Sequence, residues 1–367
     1  MSPTDYHRWI SPETRFLALE RPFELESGER LRGVEIAYRT WGELAPARDN
    51  AVVVCHALTG SADVDRWWSG VVGAGRAIDP ERDFVVAAAA LGSCYGTTGP
   101  TSLRPATSAR PAARWGPDFP AITVRDQVRL GLELADRLGV ERIRLVAGGS
   151  LGGMQALEWA LLDPGRVAAV AAISAPARHD AWAIALSALG RAALELDPKF
   201  RGGAYAGNDP PEAGLELARR IAMLGYRSPE NFAARFGRER GSRSFAVDDW
   251  LAHHGRRLAS RFDANAYLAL LGAMDSHDLA RGRGSLAEAA ARIAVPALVV
   301  ASSSDVLYPP LESYELASLL PDVELVTLAN PHGHDAFLIE QAAIDRTLAA
   351  FRRERAAADR DLAGVST

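Results

Sequence analysis

The residues with the clearest chemistry are Ala147-Gly-Gly-Ser150-Leu-Gly-Gly-Met-Gln-Ala156. They follow an apolar strand-like run, Ile143–Val146, and open a helical run that reaches Leu162. Gly148-x-Ser150-x-Gly152 between a strand and a helix is the arrangement that raises a serine nucleophile on a sharp turn. Such a turn is so tight that a Cβ at either glycine would meet neighbouring backbone. The helix N-terminus behind the serine favours a developing negative charge, and the backbone N–H of Leu151 is an oxyanion donor. The plainer reading is a glycine-rich turn that packs or binds phosphate. The G-x-G-x-x-G spacing of a dinucleotide site is absent there.

A serine nucleophile needs a base, and the base needs an acid that holds its tautomer. Asp305 follows the apolar run Ala297–Ala301, in Ser302-Ser-Ser-Asp305. Two histidines follow the run Val323–Leu328, in Asn330-Pro-His332-Gly-His334-Asp335. Asp305 lies 155 residues after Ser150 and His334 a further 29, which is the order nucleophile, acid, base. Spacing leaves His332 and His334 as alternatives. The other histidines, His7, His56, His179, His253, His254 and His277, read as surface or packing residues. No HExxH or Cys/His ligand spacing appears, so no metal site is expected. A second oxyanion donor is expected from the turn His56-Ala-Leu-Thr-Gly60, with the Leu58 N–H as candidate. Thr59 is either a contact to the acyl acceptor or a turn hydroxyl.

These residues need a scaffold that brings several strand ends together. Seven short apolar runs are spaced by helical patterns, near 34–40, 51–55, 84–89, 143–147, 167–173, 297–301 and 323–328. Most are continuous rather than alternating, as in strands buried on both faces of a parallel sheet. Strand, helix, strand in this rhythm reads as an α/β doubly wound architecture. The rhythm stops between about 177 and 285, where the chain is rich in Arg, Ala and Leu at helical spacing. The expectation is a core in two parts, residues 1–176 and 286–367, interrupted by a helical insertion at 177–285. The charged, Ala-rich tail after Arg352 reads as a helix end that then frays.

Composition narrows the class. The chain has 367 residues with 48% hydrophobic and 24% charged residues, ordinary for a globular protein. A formal charge of −5 argues against binding nucleic acid by counterion release. No apolar run approaches the ~20 residues needed to span a bilayer. The opening MSPTDYHRWISPETR lacks the apolar segment of a signal peptide. Two cysteines, Cys55 and Cys94, cannot build a disulfide framework. A cytoplasmic enzyme is the expected class.

Several stretches together resemble the homoserine O-acetyltransferases of the α/β-hydrolase superfamily. They are AVVVCHALTGSA (51–62), LGSCYGTTGPTS (91–102), FPAITVRD (119–126), AGGSLGGMQALEWA (147–160), RFDANAYLALLGAMDSHD (261–278) and PHGHDAFLIE (331–340). GGSLGGMQALEW and GHDAFL are far more specific than G-x-S-x-G. The resemblance implies an α/β-hydrolase fold with a helical lid, a homodimer joined through the lid helices, and His334 rather than His332 as the base. It implies ping-pong transfer of the acetyl group of acetyl-CoA, a co-substrate rather than a bound cofactor, to the γ-hydroxyl of L-homoserine in methionine biosynthesis. It also implies substrate roles for Arg191, in LGRAALELDP, and for Asp335. A guanidinium suits the amino-acid carboxylate, and a carboxylate the ammonium group. The plainer alternatives are Arg191 pairing with Glu195 one turn on, and Asp335 capping a helix from Ala336. Cys94, in the loop 92–96, reads as a packed small side chain. Rival functions are succinyl transfer, a serine acceptor, a plain esterase on the same triad, and a non-catalytic binding protein of the same fold.

Overall fold

The computed structural model describes residues 10–106, 112–242 and 244–365. Eight strands form one sheet: β1 (Arg15–Ala18), β2 (Glu35–Trp41), β3 (Ala51–Cys55), β4 (Phe84–Ala88), β5 (Ile143–Gly149), β6 (Val170–Ile173), β7 (Ala297–Ser302) and β8 (Val323–Leu328). Their order is β1-β2-β4-β3-β5-β6-β7-β8. β2 runs antiparallel to β1 and β4, and the other neighbours are parallel.

All five residues of β3 are buried, because both sheet faces are covered. On one face Val53, Cys55, Val86, Val146, Ala172 and Val299 pack with residues of two helices, α1 (Val124–Arg137) and α2 (Leu151–Leu162). On the other, Val52, Val54, Val85, Leu145, Ile173 and Val300 join Ile344, Leu348 and Phe351 of the C-terminal helix. The period-two alternation of strand side chains divides the two cores in this way. A capping box starts α1, in which Thr123 accepts from the Asp126 N–H and Asp126 from the Thr123 N–H.

Between β6 and β7 the described residues form helices and no strand of the sheet, chief among them α3 (Ala181–Glu195), α4 (Glu212–Tyr226), α5 (Pro229–Phe236), α6 (Ala246–Ala259) and α7 (Ala264–Asp275). The chain leaves and returns through a narrow neck, where the His179 N–H donates to His277 O at 2.9 Å and the Leu279 N–H to Ala177 O at 3.0 Å. A third apolar cluster seats these helices over the serine turn, uniting Leu194, Leu215, Tyr267 and Leu270 with Leu58, Leu151 and Met154. After β7 come α8 (Pro310–Leu319) and, following β8, α9 (Gln341–Val365). The helix α9 continues past Arg352 to Val365, so the tail expected to end a helix is helical there. β1 was not foreseen, since its four residues are mostly exposed at the sheet edge and carry no alternating signal. No helix among the described residues is long and apolar enough to cross a membrane.

Candidate active site

Ser150 is the single residue between β5 and α2 and has φ 57° and ψ −124°, a strained conformation for a residue with a Cβ. Its neighbours must be small. A Cβ on Gly152 would lie 2.2 Å from Cys55 O, and one on Gly148 2.5 Å from the Gly152 backbone. The requirement read from the turn is therefore met by two specific obstacles, the end of β3 and the turn itself. Leu151 is the first residue of α2, so its N–H has no partner within the helix.

Asp305 and His334 come from the loops after β7 and β8. His334 Nδ1 lies 2.8 Å from Asp305 Oδ2, and both side chains are buried. The other Asp305 oxygen accepts the N–H groups of Leu307 and Tyr308, each at 2.9 Å, so the carboxylate is oriented on both sides. The two loops are stitched together, with Ser302 Oγ donating to Gly333 O at 2.9 Å and the Gly333 N–H to Ser304 Oγ at 2.9 Å. Phe337 packs on Gly149 so closely that a Cβ there would fall 2.5 Å from its ring. The same ring lies 5.9 Å from that of His334, which brings the histidine loop against the serine turn. His334 Nε2 is buried and makes no hydrogen bond to any described residue. Burial opposes protonation of His334, but the Asp305 charge and hydrogen bond, helped by Asp335 and Glu312, leave its pKa raised. His332 points elsewhere, to Glu340 at 3.1 Å and Asn231 at 3.2 Å.

The turn after β3 is held by a residue the sequence reading set aside. His56 is buried, with its Nε2 accepting the Ala90 N–H at 2.9 Å and Nδ1 2.7 Å from Ala57 O. An acceptor at Nε2 places the proton on Nδ1, which donates to the carbonyl just before Leu58. Burial lowers the His56 pKa and keeps this neutral tautomer. Its partner lies 34 positions away on another strand end, so no local pattern could reveal it. Among the described residues no hydrogen bond takes up the Leu58 N–H. Thr59 accepts from Arg261, through its carbonyl at 2.9 Å and its hydroxyl at 3.4 Å.

Arg191 and Asp335 sit differently from what their sequence setting suggested. Arg191 reaches Asp275 of α7 at 2.5 Å rather than Glu195, and it lines neither cavity beside the site. Asp275 is 3.5 Å from His179, which meets the Tyr308 hydroxyl at 3.0 Å, so Arg191 belongs to a network behind the acid loop. Asp335 stands at the N-cap position of the short turn Ala336–Ile339, but its side chain makes no capping hydrogen bond. It pairs instead with Arg227 at 3.2 Å. Of the arginines of α3 and α4, Arg219 of α4 lines the cavity beside Thr59 and lies 4.8 Å above the Tyr226 ring, which in turn lies 5.9 Å from the His334 ring. No carboxylate of the described residues forms an ion pair with Arg219, and its sequence setting offered no signal to rank it over Arg191.

Both thiols are unpaired and buried. Burial pushes the Cys55 thiol up to about 12, and burial beside Asp263 raises Cys94 further. Neither is poised as a thiolate nucleophile. His179, His254 and His277 are all lowered, chiefly by burial, and His7 lies outside the described residues.

A family model described as alpha/beta hydrolase fold matches residues 50–341. The homoserine O-acetyltransferase of Trichormus variabilis is 51% identical over 351 residues, 95% of this chain and 96% of that one. A crystal structure of homoserine O-acetyltransferase from Bacillus anthracis superposes with a TM-score of 0.85 at 26% identity, covering 92% of this chain and 97% of that one. The crystal structure of esterase E22 superposes nearly as well, with a TM-score of 0.84 at 26% identity and coverage of 93% and 99%.

Proposed function

The chain belongs to the homoserine O-acetyltransferase family of α/β hydrolases, and we propose that it transfers acetyl from acetyl-CoA to L-homoserine through an acetyl-Ser150 intermediate. The observation that carries this mechanism is the oriented Asp305–His334 pair, whose buried Nε2 makes no hydrogen bond to any described residue, packed against the strained turn of Ser150. Ser150 Oγ attacks the thioester carbonyl while its proton passes to His334 Nε2. The Leu58 and Leu151 N–H groups hold the oxyanion. The tetrahedral adduct collapses, the C–S bond breaks, and His334 returns the proton to the departing CoA sulfur. His334 then takes the γ-hydroxyl proton of homoserine, whose oxygen attacks the acetyl carbonyl; the bond to Ser150 Oγ breaks, His334 returns the proton to Oγ, and O-acetyl-L-homoserine leaves. The product is an intermediate of methionine biosynthesis.

Water would intercept the acyl-enzyme, which gives the insertion at 177–285 its role as a lid over the site. The similarity to esterase E22 makes hydrolysis the second reading, since the shared scaffold serves either outcome. Purified enzyme given acetyl-CoA or succinyl-CoA, with homoserine, serine or no acceptor, separates these readings by thiol release. Fast release that requires acetyl-CoA and homoserine supports the proposal, and release indifferent to acceptor overturns it in favour of hydrolysis.

Arg219 is the better placed anchor for the acceptor carboxylate, with Asp335, next in sequence to the base, as the partner for its ammonium. Arg219→Gln is expected to raise KM for homoserine at least about tenfold, the scale of one charge-assisted hydrogen bond. Arg191→Gln should leave that KM within about threefold and instead lower thermal stability through the Asp275 network. The reverse ranking in steady-state kinetics would restore Arg191 to the site.

A homodimer through the lid fits the exposed apolar side chains of Trp182 and Leu189 on α3 and Leu217 and Leu224 on α4. Light scattering is expected to give twice the chain mass, and Leu189→Glu with Leu224→Glu to halve it. A wild-type mass of one chain at micromolar concentration would count against the dimer. The two buried, unpaired thiols fit a reducing cytoplasm.

A further inference from the structure

Beside the oxyanion turn lies a cleft of about 570 Å³, far larger than a small amino acid requires. Its lining draws on Thr59, Gly60 and Ser61, on the helical turn carrying Arg66 and Trp67, and on Arg219, Arg257 and Arg261 from the lid. Four guanidinium groups therefore face it against one carboxylate, Asp63, which is already engaged by Arg39 at 3.0 Å. Arg261 is committed to Thr59 and the Tyr95 hydroxyl, and Arg219 faces the acceptor end. Arg66 and Arg257 remain, both exposed, and neither has an ion-pair partner among the described residues. The C-terminal dipole of α6 accounts for a cation at position 257. It does not account for Arg66, which comes from the other half of the chain and faces the same cleft. The field is felt locally: burial, then Arg219, His253, Arg227 and Arg257, push the His254 pKa down to about 4. In a chain of net charge −5 such a concentration of unpaired cations marks a site for a polyanion.

We propose that Arg66 and Arg257 bind the phosphate groups at the nucleotide end of the acyl donor, leaving the acyl thioester to enter past Thr59 toward Ser150. The proposal rests on acetyl-CoA being the donor. Guanidinium groups suit it because they present forked donor arrays to phosphate oxygens. The cleft would then select a phosphorylated thioester over a short one, a preference the catalytic residues cannot supply.

The test compares acetyl-CoA with S-acetylpantetheine, which lacks every phosphate, in wild type, Arg66→Gln, Arg257→Gln and the double variant. The double variant is expected to raise KM for acetyl-CoA at least about tenfold with kcat unchanged, and to leave S-acetylpantetheine kinetics as they were. Its KM should also respond less steeply to salt. Equal losses on both donors, or no loss on acetyl-CoA, would overturn the assignment. Calorimetric titration with CoA alone keeps this proposal separate from the transferase reading. CoA binding by wild type that weakens in the double variant supports the phosphate site even in an enzyme that transfers no acetyl group. CoA binding equal in both proteins would reject the site while leaving the transferase reading intact.

Discussion

Ser150→Ala is expected to lower acetyl transfer by at least ~10⁴-fold, the scale lost when an activated nucleophile is removed from an acyl-transfer triad. The protein should fold as before. Among the described residues Ser150 Oγ ties no element to another, and the backbone at φ 57° is set by β5, α2 and the Ser150 N–H bond to Ile173 O at 2.9 Å. Wild-type enzyme mixed with acetyl-CoA in the absence of homoserine should gain one acetyl group by mass spectrometry, and the variant none. An unchanged melting temperature with the rate abolished identifies the nucleophile. Retained turnover would remove Ser150 from that role and point to direct attack by the acceptor hydroxyl.

Asp305→Asn should be nearly as damaging, about 10⁴-fold in kcat, because an amide can donate to Nδ1 and turn the histidine proton toward the serine. The pH profile makes this more specific. His334 acts as a base only when neutral, and its pKa is raised because the Asp305 charge and hydrogen bond outweigh burial. Wild-type activity should therefore fall as pH drops through a limb lying above the ordinary histidine value of about 6.5. Removing the carboxylate leaves burial as the dominant influence, so the limb of the residual rate should move to lower pH. A limb that stays in place in Asp305→Asn would assign it to another group. A rate loss of only a few fold would dismiss Asp305 as the orienting acid.

The strands at the centre of the sheet were legible because burial on both faces leaves a continuous apolar run such as Ala51–Cys55, whose five residues are all buried. The serine turn was legible for a related reason: its glycines answer to local sterics, which are written into adjacent residues. Arg15–Ala18 was not, since an exposed edge strand places little demand on its side chains. His56 was missed because its function as a brace depends on Ala90, which reaches it from another strand end.

The sequence by itself thus determined the architecture, and it singled out Ser150, Asp305, the two histidines and the Leu58 and Leu151 N–H groups as candidates, all from short-range patterns. Family motifs favoured His334 over His332. Only the tertiary structure showed which of them meets Asp305, and only it separated the arginines. Arg191, Arg219 and Arg227 all lie on or beside α3 and α4, yet one pairs with Asp275, one faces the cleft over Tyr226, and one holds Asp335. A long, flexible, charged side chain takes its partner from whatever the packing of distant helices brings within reach, and that packing is a property of the whole chain rather than of any window within it.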